Sequence, residues 1–122
     1  MEKRRIVITG MGVVSPVGTG VPVFWSNLIA GKSGIIAIDH FDTTGFDVKI
    51  CGRVKDFDPL QYFNSKEARN LARFVQFAVA ASREAVQQAG LDLKAVDQKR
   101  FGVFIGSGIG SMNTMETEHN KL

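Results

Sequence analysis

The chain has 122 residues, of which 44% are hydrophobic and 22% charged, a balance typical of one globular domain that excludes an intrinsically disordered chain. The net charge of +3 is not gathered into a dense Lys/Arg cluster, so a nucleic-acid-binding protein is not favoured, whereas a small basic patch for an acidic protein partner fits. The single cysteine, Cys51, excludes an internal disulfide and indicates a reducing, cytoplasmic setting; no signal peptide and no membrane-spanning segment is expected.

The N-terminal residues predict a strand, a loop and a helix. Arg5–Thr9 contains the apolar run Ile6-Val7-Ile8 and predicts a buried strand. Glycines and Pro16 mark a loop from residue 10 to residue 19. A helix is predicted over Val21–Ile29, with Pro22 in its first turn and Gly31 after its end.

The middle of the chain predicts a second strand and a long helix. Residues 32–45 are rich in turn formers and are expected to be irregular, whereas Phe46–Ile50 alternates as a half-exposed strand does. Asn64 can cap a helix that runs to Ala89, and Glu67 can complete a capping box. Nearly every residue between Phe74 and Ser82 is apolar or small, so this helix is expected to be covered on most sides within a larger body.

The last third predicts another buried strand over Arg100–Ile105, followed by a glycine cluster, Gly106–Gly110. Residues 112–122 are polar and are expected to be helical or frayed. Strands that alternate with helices are typical of an α/β protein. The ends of buried strands in such folds are where ligands bind, so the glycine cluster is either a ligand approach or a turn that needs positive φ.

Of two nucleotide-binding motifs, the dinucleotide fingerprint is not favoured and the P-loop is excluded. Gly10 and Gly12 resemble the start of a dinucleotide fingerprint, but Ser15 stands at the third glycine position and the predicted helix begins too late to hold a phosphate. The alternative interpretation is that both glycines permit a tight exit from a strand. The sequence also has no Gly-Lys-Ser/Thr, so it contains no phosphate-binding P-loop.

No catalytic set or metal site is predicted within the chain. Cys51 follows a strand pattern and has no helix start beside it that would favour a thiolate, so it is interpreted as a small core residue. His40 and His119 are distant from it in sequence and lack the spacing of metal ligands. No cofactor is expected.

The ordered set of blocks nevertheless resembles one family. The blocks are RRIVITGMGVVSPVG, Phe24-Trp25, LIAGKSGI, IDHFD and GSGIG. Together they resemble the N-terminal end of the β-ketoacyl-acyl carrier protein synthases, and most of all the type II synthases of dissociated bacterial fatty-acid synthesis.

The resemblance implies a thiolase-like fold, layered α/β/α/β/α when complete and paired as a homodimer. It implies transfer of an acyl chain from acyl carrier protein to a cysteine, followed by decarboxylative condensation with malonyl-carrier protein. The family's nucleophilic cysteine and two histidines match no residue here. Residues 1–122 are therefore expected to be an incomplete N-terminal half that is inactive alone.

The resemblance also implies site residues. Ile109, with Gly108 beside it, matches a position that lines the acyl-chain pocket near the dimer partner. Lys66 and Arg69 match basic positions that dock the acidic carrier protein; a solvated helix end is the alternative. At Asn70 and Ala72 the family often has a basic residue and an aspartate, so the docking patch is expected to be thinner and one polar contact to be missing.

Three other interpretations stay open from the sequence. The first is a non-catalytic synthase homologue that sets chain length in a pair with an active one. The second is a stand-alone nucleotide-binding module. The third is a small interaction protein that binds acyl carrier protein through Lys66 and Arg69 without turnover.

Overall fold

The structure is a computed structural model that describes residues 4–122. Within that range it contains two separate two-stranded antiparallel sheets and four α-helices. In chain order the elements are β1 (Val14–Ser15), β2 (Gly18–Thr19), α1 (Val21–Ile29), β3 (Ile35–Ala37), β4 (Ile50–Gly52), a 3₁₀ turn (Pro59–Gln61), α2 (Ser65–Asn70), α3 (Arg73–Gln88) and α4 (Met112–His119).

Helix α1 has the predicted bounds. Gly20 precedes it with φ 84°, and Pro22 occupies its first turn. Gly31, with φ 68°, follows the last turn, where a left-handed residue ends many helices. The β1–β2 hairpin before it is tied by Ser15, whose hydroxyl accepts from the amide of Val17 at 3.1 Å and donates to the Gly18 carbonyl at 3.1 Å.

The second sheet lies partly where no strand was predicted. β3 pairs with β4 in the register Ile35↔Gly52, Ile36↔Cys51 and Ala37↔Ile50. The prediction that residues 32–45 are irregular is therefore wrong at β3, and the strand predicted over Phe46–Ile50 retains only Ile50. The ladder sits further along the chain because strand bounds depend on the pairing partner as well as on alternation.

The single helix predicted up to Ala89 is two helices in the structure. Leu71 has φ −86° and ψ 128°, an extended conformation that ends α2 before α3 begins. The buried Gln76 of α3 satisfies this break, because its Nε2 donates to the carbonyls of Ala68 at 2.8 Å and Leu71 at 3.0 Å. Carbonyls at the end of a helix need such partners. Gln76 thus fixes α2 on the start of α3.

A small aromatic core packs under α3. Phe57 is 6% exposed, stacks on Tyr62 at 5.3 Å between ring centroids and meets Phe77 edge-on at 5.0 Å. The Arg73 guanidinium lies 5.0 Å from the Phe77 ring centroid, within cation–π range. The Arg83 guanidinium lies 5.4 Å from the ring centroid of the buried Phe63. These contacts hold the segment before α2 against α3.

The N-terminal loop lies directly on the backbone of α3. A Cβ at Gly10 would overlap the carbonyl oxygen of Ala85, and a Cβ at Gly12 would overlap that of Ala81. Neither glycine has positive φ, so the structure needs them for close approach and not for an unusual turn. The interpretation of these glycines as an exit from a strand is replaced by one in which they pack against a helix.

The two predicted buried strands do not form within residues 4–122. Arg5–Thr9 and Arg100–Ile105 have no strand partner there; Ile6 is 93% and Phe104 98% exposed. An extended segment becomes a strand only when a neighbour satisfies its backbone groups. Within the described residues only Gln76 and Ala80 of α3 are buried, so these residues do not supply the cover that the sequence predicts for this helix, and its cover by a larger body stays a prediction.

An apolar groove runs along the open side of α3. It encloses about 510 Å³. Its apolar lining residues are Val79, Val86, Leu91, Leu93, Val103 and Ile105.

Among the helices of the described residues, none combines the length and apolar character needed to cross a bilayer.

Candidate functional site

Helix α2 presents the predicted docking residues. Asn64 caps it, since its side-chain oxygen accepts from the amides of Lys66 at 3.0 Å and Glu67 at 2.9 Å. Glu67 accepts from the Asn64 amide at 3.2 Å, which completes the predicted capping box. Lys66 and Arg69 are both exposed. Arg69 Nε donates to the Ser65 carbonyl at 3.1 Å, which aligns its guanidinium along the helix.

The glycine cluster meets the start of α3. Ser107 Oγ accepts from the Gly110 amide at 3.0 Å, and Gly110 has φ 82°. A Cβ on Gly110 would lie 3.8 Å from the Phe74 ring, so the cluster passes close to α3. Of the cluster's glycines, Gly110 alone has positive φ, so the turn hypothesis holds for one position. Ile109 is 77% exposed, and the predicted acyl-chain role of Ile109 and Gly108 stays a prediction.

A polar groove joins the two regions that the sequence singled out. It lies between the end of α2 and helix α4, which follows the glycine cluster, and encloses about 340 Å³. Arg69, Asn70 and Ala72 line one side. Asn113, Thr117 and Lys121 line the other. The structure thus brings one predicted docking residue next to the helix after the glycine cluster, although these segments are about 40 residues apart in sequence.

The two positions that are expected to depart from the pattern of the resembled family both lie at this junction. Asn70 is the last residue of α2 and lines the groove. Ala72 is the N-cap of α3, with φ −58° and ψ 146°, and no side chain caps this helix. Alanine cannot accept from the first amides of a helix, whereas aspartate can. The structure shows that no side chain caps α3 at Ala72, and the missing buried polar contact itself stays a prediction.

Replacing Ala72→Asp is expected to raise the free energy of unfolding by about 1 kcal/mol. The new carboxylate would accept from first-turn amides of α3 and would face the positive end of the helix dipole. Urea unfolding followed by circular dichroism measures the change. Ala72→Asn, which caps without charge, is the matched control and should give most of the gain; no gain from either variant would contradict the assignment of Ala72 as an uncapped N-terminus.

Cys51, His40 and His119 are not assembled into a site. Cys51 lies in β4 opposite Ile36 and is half-buried. His40 contacts its chain neighbours Asp39 and Phe41, and His119 is in the last turn of α4. No group of three or more His, Cys, Asp or Glu residues in the described part of the chain is placed to hold a metal.

An exposed ion-pair cluster links the loops that follow β3 and β4. Asp39 accepts from Lys55 Nζ at 2.9 Å and from Arg53 at 2.8 Å. The hydrogen bond from Lys55 is the main reason that the pKa of Asp39 is lowered from its usual value, and Arg53 adds to it. Surface pairs of this kind contribute little stability, and we assign this one no catalytic role.

The start of α1 holds a carboxylate from the chain itself. Glu84 of α3 accepts from the Val21 amide at 2.7 Å through Oε1 and from the Val13 amide at 3.0 Å through Oε2. A phosphate at this helix end would compete with Glu84 for the same donor and meet its negative charge. The structure therefore argues against a dinucleotide site after Gly10-x-Gly12.

Sequence reasoning missed Gln76, Glu84 and Lys121. Gln76 and Glu84 are polar residues on an otherwise apolar or small-residue helix, and this interruption was the available signal. Their hydrogen bonds join residues at irregular or long separations in sequence, so no spacing pattern reveals them. Lys121 and Arg69 line the same groove only in the folded chain, so no local sequence pattern indicates Lys121.

Comparison with known proteins identifies relatives along the whole chain. The model of the family described as "Beta-ketoacyl synthase, N-terminal domain" matches residues 3–122. The 3-oxoacyl-[acyl-carrier-protein] synthase 2 of Vibrio cholerae is 48% identical over 122 residues, which are 100% of this chain and 30% of that protein. The synthase 2 of Coxiella burnetii is 46% identical over 122 residues, again 100% of this chain and 30% of the relative.

Two solved structures are similar as well. The ishigamide ketosynthase/chain length factor has a TM-score of 0.66 and 42% identity, covering 76% of this chain and 23% of that one. A type II polyketide ketosynthase in complex with its acyl-carrier protein and bound to the hexaketide, AntDE:AntF, has a TM-score of 0.62 and 35% identity, covering 83% and 22%.

These matches confirm the expected class of fold, a mixed α/β arrangement that corresponds to an N-terminal piece of the thiolase-like fold. The chain spans 30% of the length of the Vibrio cholerae relative. Since the family model matches all but the first two residues, the chain belongs to the β-ketoacyl synthase family, within its N-terminal domain.

Proposed function

We propose that this chain is part of a β-ketoacyl-acyl carrier protein synthase of fatty-acid elongation. In this reaction an acyl thioester forms on a cysteine, malonyl-carrier protein loses carbon dioxide, and the carbanion so formed attacks the thioester carbonyl. The observation that carries the proposal is identity of 44–48% to bacterial 3-oxoacyl-[acyl-carrier-protein] synthase 2 proteins over 99–100% of the chain.

The part of that function that we assign to this chain is docking of acyl carrier protein on α2. Lys66 and Arg69 are exposed and three residues apart, so they lie on neighbouring points of the helix surface. The capping box and Gln76 hold α2 at both ends, which orders the two cations before a partner arrives. One similar solved structure is a ketosynthase in complex with its acyl-carrier protein, which supports this partner.

We assign acyl-chain contact to Ile109 and Gly108. Ile109 is a branched apolar side chain that is 77% exposed on a glycine-rich segment, where an alkyl tail can reach it. Gly108 has open space around it, with no atom within 4 Å of a Cβ built there, so a substrate can approach the backbone. In this proposal the second wall of the pocket comes from the homodimer partner.

We further propose that the 122 residues do not condense substrates alone. A nucleophilic cysteine needs a helix N-terminus or a cationic neighbour that stabilises its thiolate. Cys51 lies in strand β4 opposite Ile36 of β3, His40 contacts its neighbours Asp39 and Phe41, and His119 lies in the last turn of α4. The reactive thiol and the imidazole donors would then belong to other residues of the whole protein.

A chain-length-determining homologue is the second candidate, because one similar structure is named a ketosynthase/chain length factor. Such a protein pairs with an active synthase and carries no nucleophile of its own. The two candidates share this N-terminal part and differ in whether the whole protein becomes acylated on a cysteine. Mass spectrometry of the whole protein after incubation with acyl-carrier protein separates them.

We expect the purified chain to bind acyl carrier protein and form no 3-oxoacyl product. Binding should weaken steeply between about 50 and 200 mM salt, because exposed charges are screened over about 10 Å. The charge-reversed variant Lys66→Glu/Arg69→Glu should lose about tenfold or more in affinity. Titration by calorimetry and product analysis by mass spectrometry give the two readouts.

Three results would contradict this assignment. Product formed from acyl- and malonyl-carrier protein would show that the chain has its own catalytic set. Affinity that does not change with salt would contradict electrostatic docking. Equal affinity of wild type and the double variant, with unchanged circular dichroism, would remove Lys66 and Arg69 from the interface.

A further inference from the structure

The groove between α2 and α4 carries a second cation beside the proposed docking helix. Lys121 follows the end of α4 and lines the groove opposite Arg69. The groove is therefore lined by one positive side chain from α2 and one from the residues after α4, together with the amides of Asn70 and Asn113 and the hydroxyl of Thr117. Amide N–H groups are hydrogen-bond donors that suit carboxylates.

The charge of Lys121 is held by a weak internal pair. Its Nζ lies 2.5 Å from Glu118 Oε1, and both side chains are 62% exposed. An exposed pair between two flexible side chains contributes little free energy, so a carboxylate from a partner can replace Glu118 at small cost. Glu118 also lines the groove, and its charge opposes an acidic partner there.

We infer that Lys121, together with Asn70 and Asn113, extends the docking surface of α2 across the groove, and that Glu118 lowers its affinity for the carrier protein. This inference rests on the proposed carrier-protein docking by α2 and deepens it. The occupant is the same acidic protein, because Arg69 lies in both surfaces and a partner seated on α2 reaches the groove without a second interface. The thinner patch at Asn70 is then compensated by a cation from α4.

Opposite effects of two neighbouring substitutions test the inference. Affinity of the chain for acyl carrier protein is measured by calorimetry at about 50 mM salt, where surface charges act most strongly. Lys121→Glu is expected to weaken binding about three- to tenfold, and Glu118→Gln to strengthen it about twofold. Lys32→Glu, which makes the same change in net charge in the turn after α1, is the matched control and should alter affinity less than twofold.

The outcomes separate the two proposals. If Lys121→Glu behaves as Lys32→Glu does while Lys66→Glu weakens binding, the groove is not part of the interface and docking on α2 stands. If none of the three lysine variants changes affinity, docking on α2 fails and the groove with it. If Lys121→Glu weakens binding but Glu118→Gln does not strengthen it, the part assigned to Glu118 is wrong. Far-UV circular dichroism of each variant confirms that α4 remains helical.

Discussion

Gly12→Ala is expected to lower the free energy of unfolding by at least about 3 kcal/mol, the upper range for overpacking a tight contact. The added Cβ would overlap the carbonyl oxygen of Ala81 on α3, and it would also lie 3.0 Å from the Ala85 amide nitrogen. A backbone carbonyl in the middle of a helix cannot rotate away as a side chain does. The loop must therefore lift from α3, which also removes the hydrogen bonds on either side of Gly12.

Those bonds show why the effect should be large. The Met11 amide donates to Gln88 Oε1 at 2.6 Å, and the Val13 amide donates to Glu84 Oε2 at 3.0 Å. Both amides lie next to Gly12, so a loop displaced by the new methyl group loses two acceptors together with the packing. A domain with a stability of about 5–15 kcal/mol is left near its folding threshold by such a loss.

Urea unfolding monitored by circular dichroism measures the effect of Gly12→Ala. Gly106→Ala is the matched control: a Cβ there meets nothing within 4 Å and Gly106 lacks positive φ, so its stability should change by less than about 0.5 kcal/mol. If Gly12→Ala and Gly106→Ala have the same stability, the close packing of the loop on α3 is wrong.

Elements with purely local determinants could be predicted from the sequence. Helix α1 begins and ends as predicted because Gly20, Pro22 and Gly31 act on their own backbone. The capping box at Asn64 and Glu67 is confirmed for the same reason. A cap needs only residues within one helical turn, so spacing reveals it.

Elements that depend on distant partners could not be predicted. Arg5–Thr9 and Arg100–Ile105 have the composition of buried strands, yet within residues 4–122 no neighbour pairs with them. The break at Leu71 depends on Gln76, whose amide reaches back across the junction of α2 and α3. Alternation and periodicity carry no information about such contacts.

The candidate site divides in the same way. Lys66 and Arg69 could be predicted as docking residues because they match basic positions of the resembled family and lie close together in sequence. Lys121 lines the same groove as Arg69 only because α4 packs beside α2, so the sequence does not indicate this proximity. Gly10 and Gly12 match the start of a nucleotide-binding motif in sequence, but in the fold they pack against the carbonyls of Ala85 and Ala81.

Glu84→Ala is expected to lower the free energy of unfolding by about 2 kcal/mol, because two part-buried backbone amides lose their acceptor. Glu84 Oε1 bonds to Val21 and Oε2 to Val13, so one carboxylate joins α3, the N-terminal loop and the first turn of α1. The carboxylate also faces the positive end of the α1 dipole, which adds to its effect.

Glu84→Gln resolves how the carboxylate acts. Glutamine keeps one acceptor oxygen and replaces the other with a donor, so it should recover roughly half of the loss while filling the same volume. Glu116→Ala, at an exposed position of α4, is the matched control and should change stability by less than about 0.5 kcal/mol. Equal losses in Glu84→Ala and Glu84→Gln would mean that both oxygens are required at once, and no loss in either would show that α1 is held on α3 by packing alone. The hydrogen bonds of Glu84 reach the N-terminal loop and α1, whereas α2 carries the proposed docking residues. The Glu84 variants should therefore leave carrier-protein affinity unchanged under conditions where they remain folded, which separates the stabilising role of α3 from the docking role of α2.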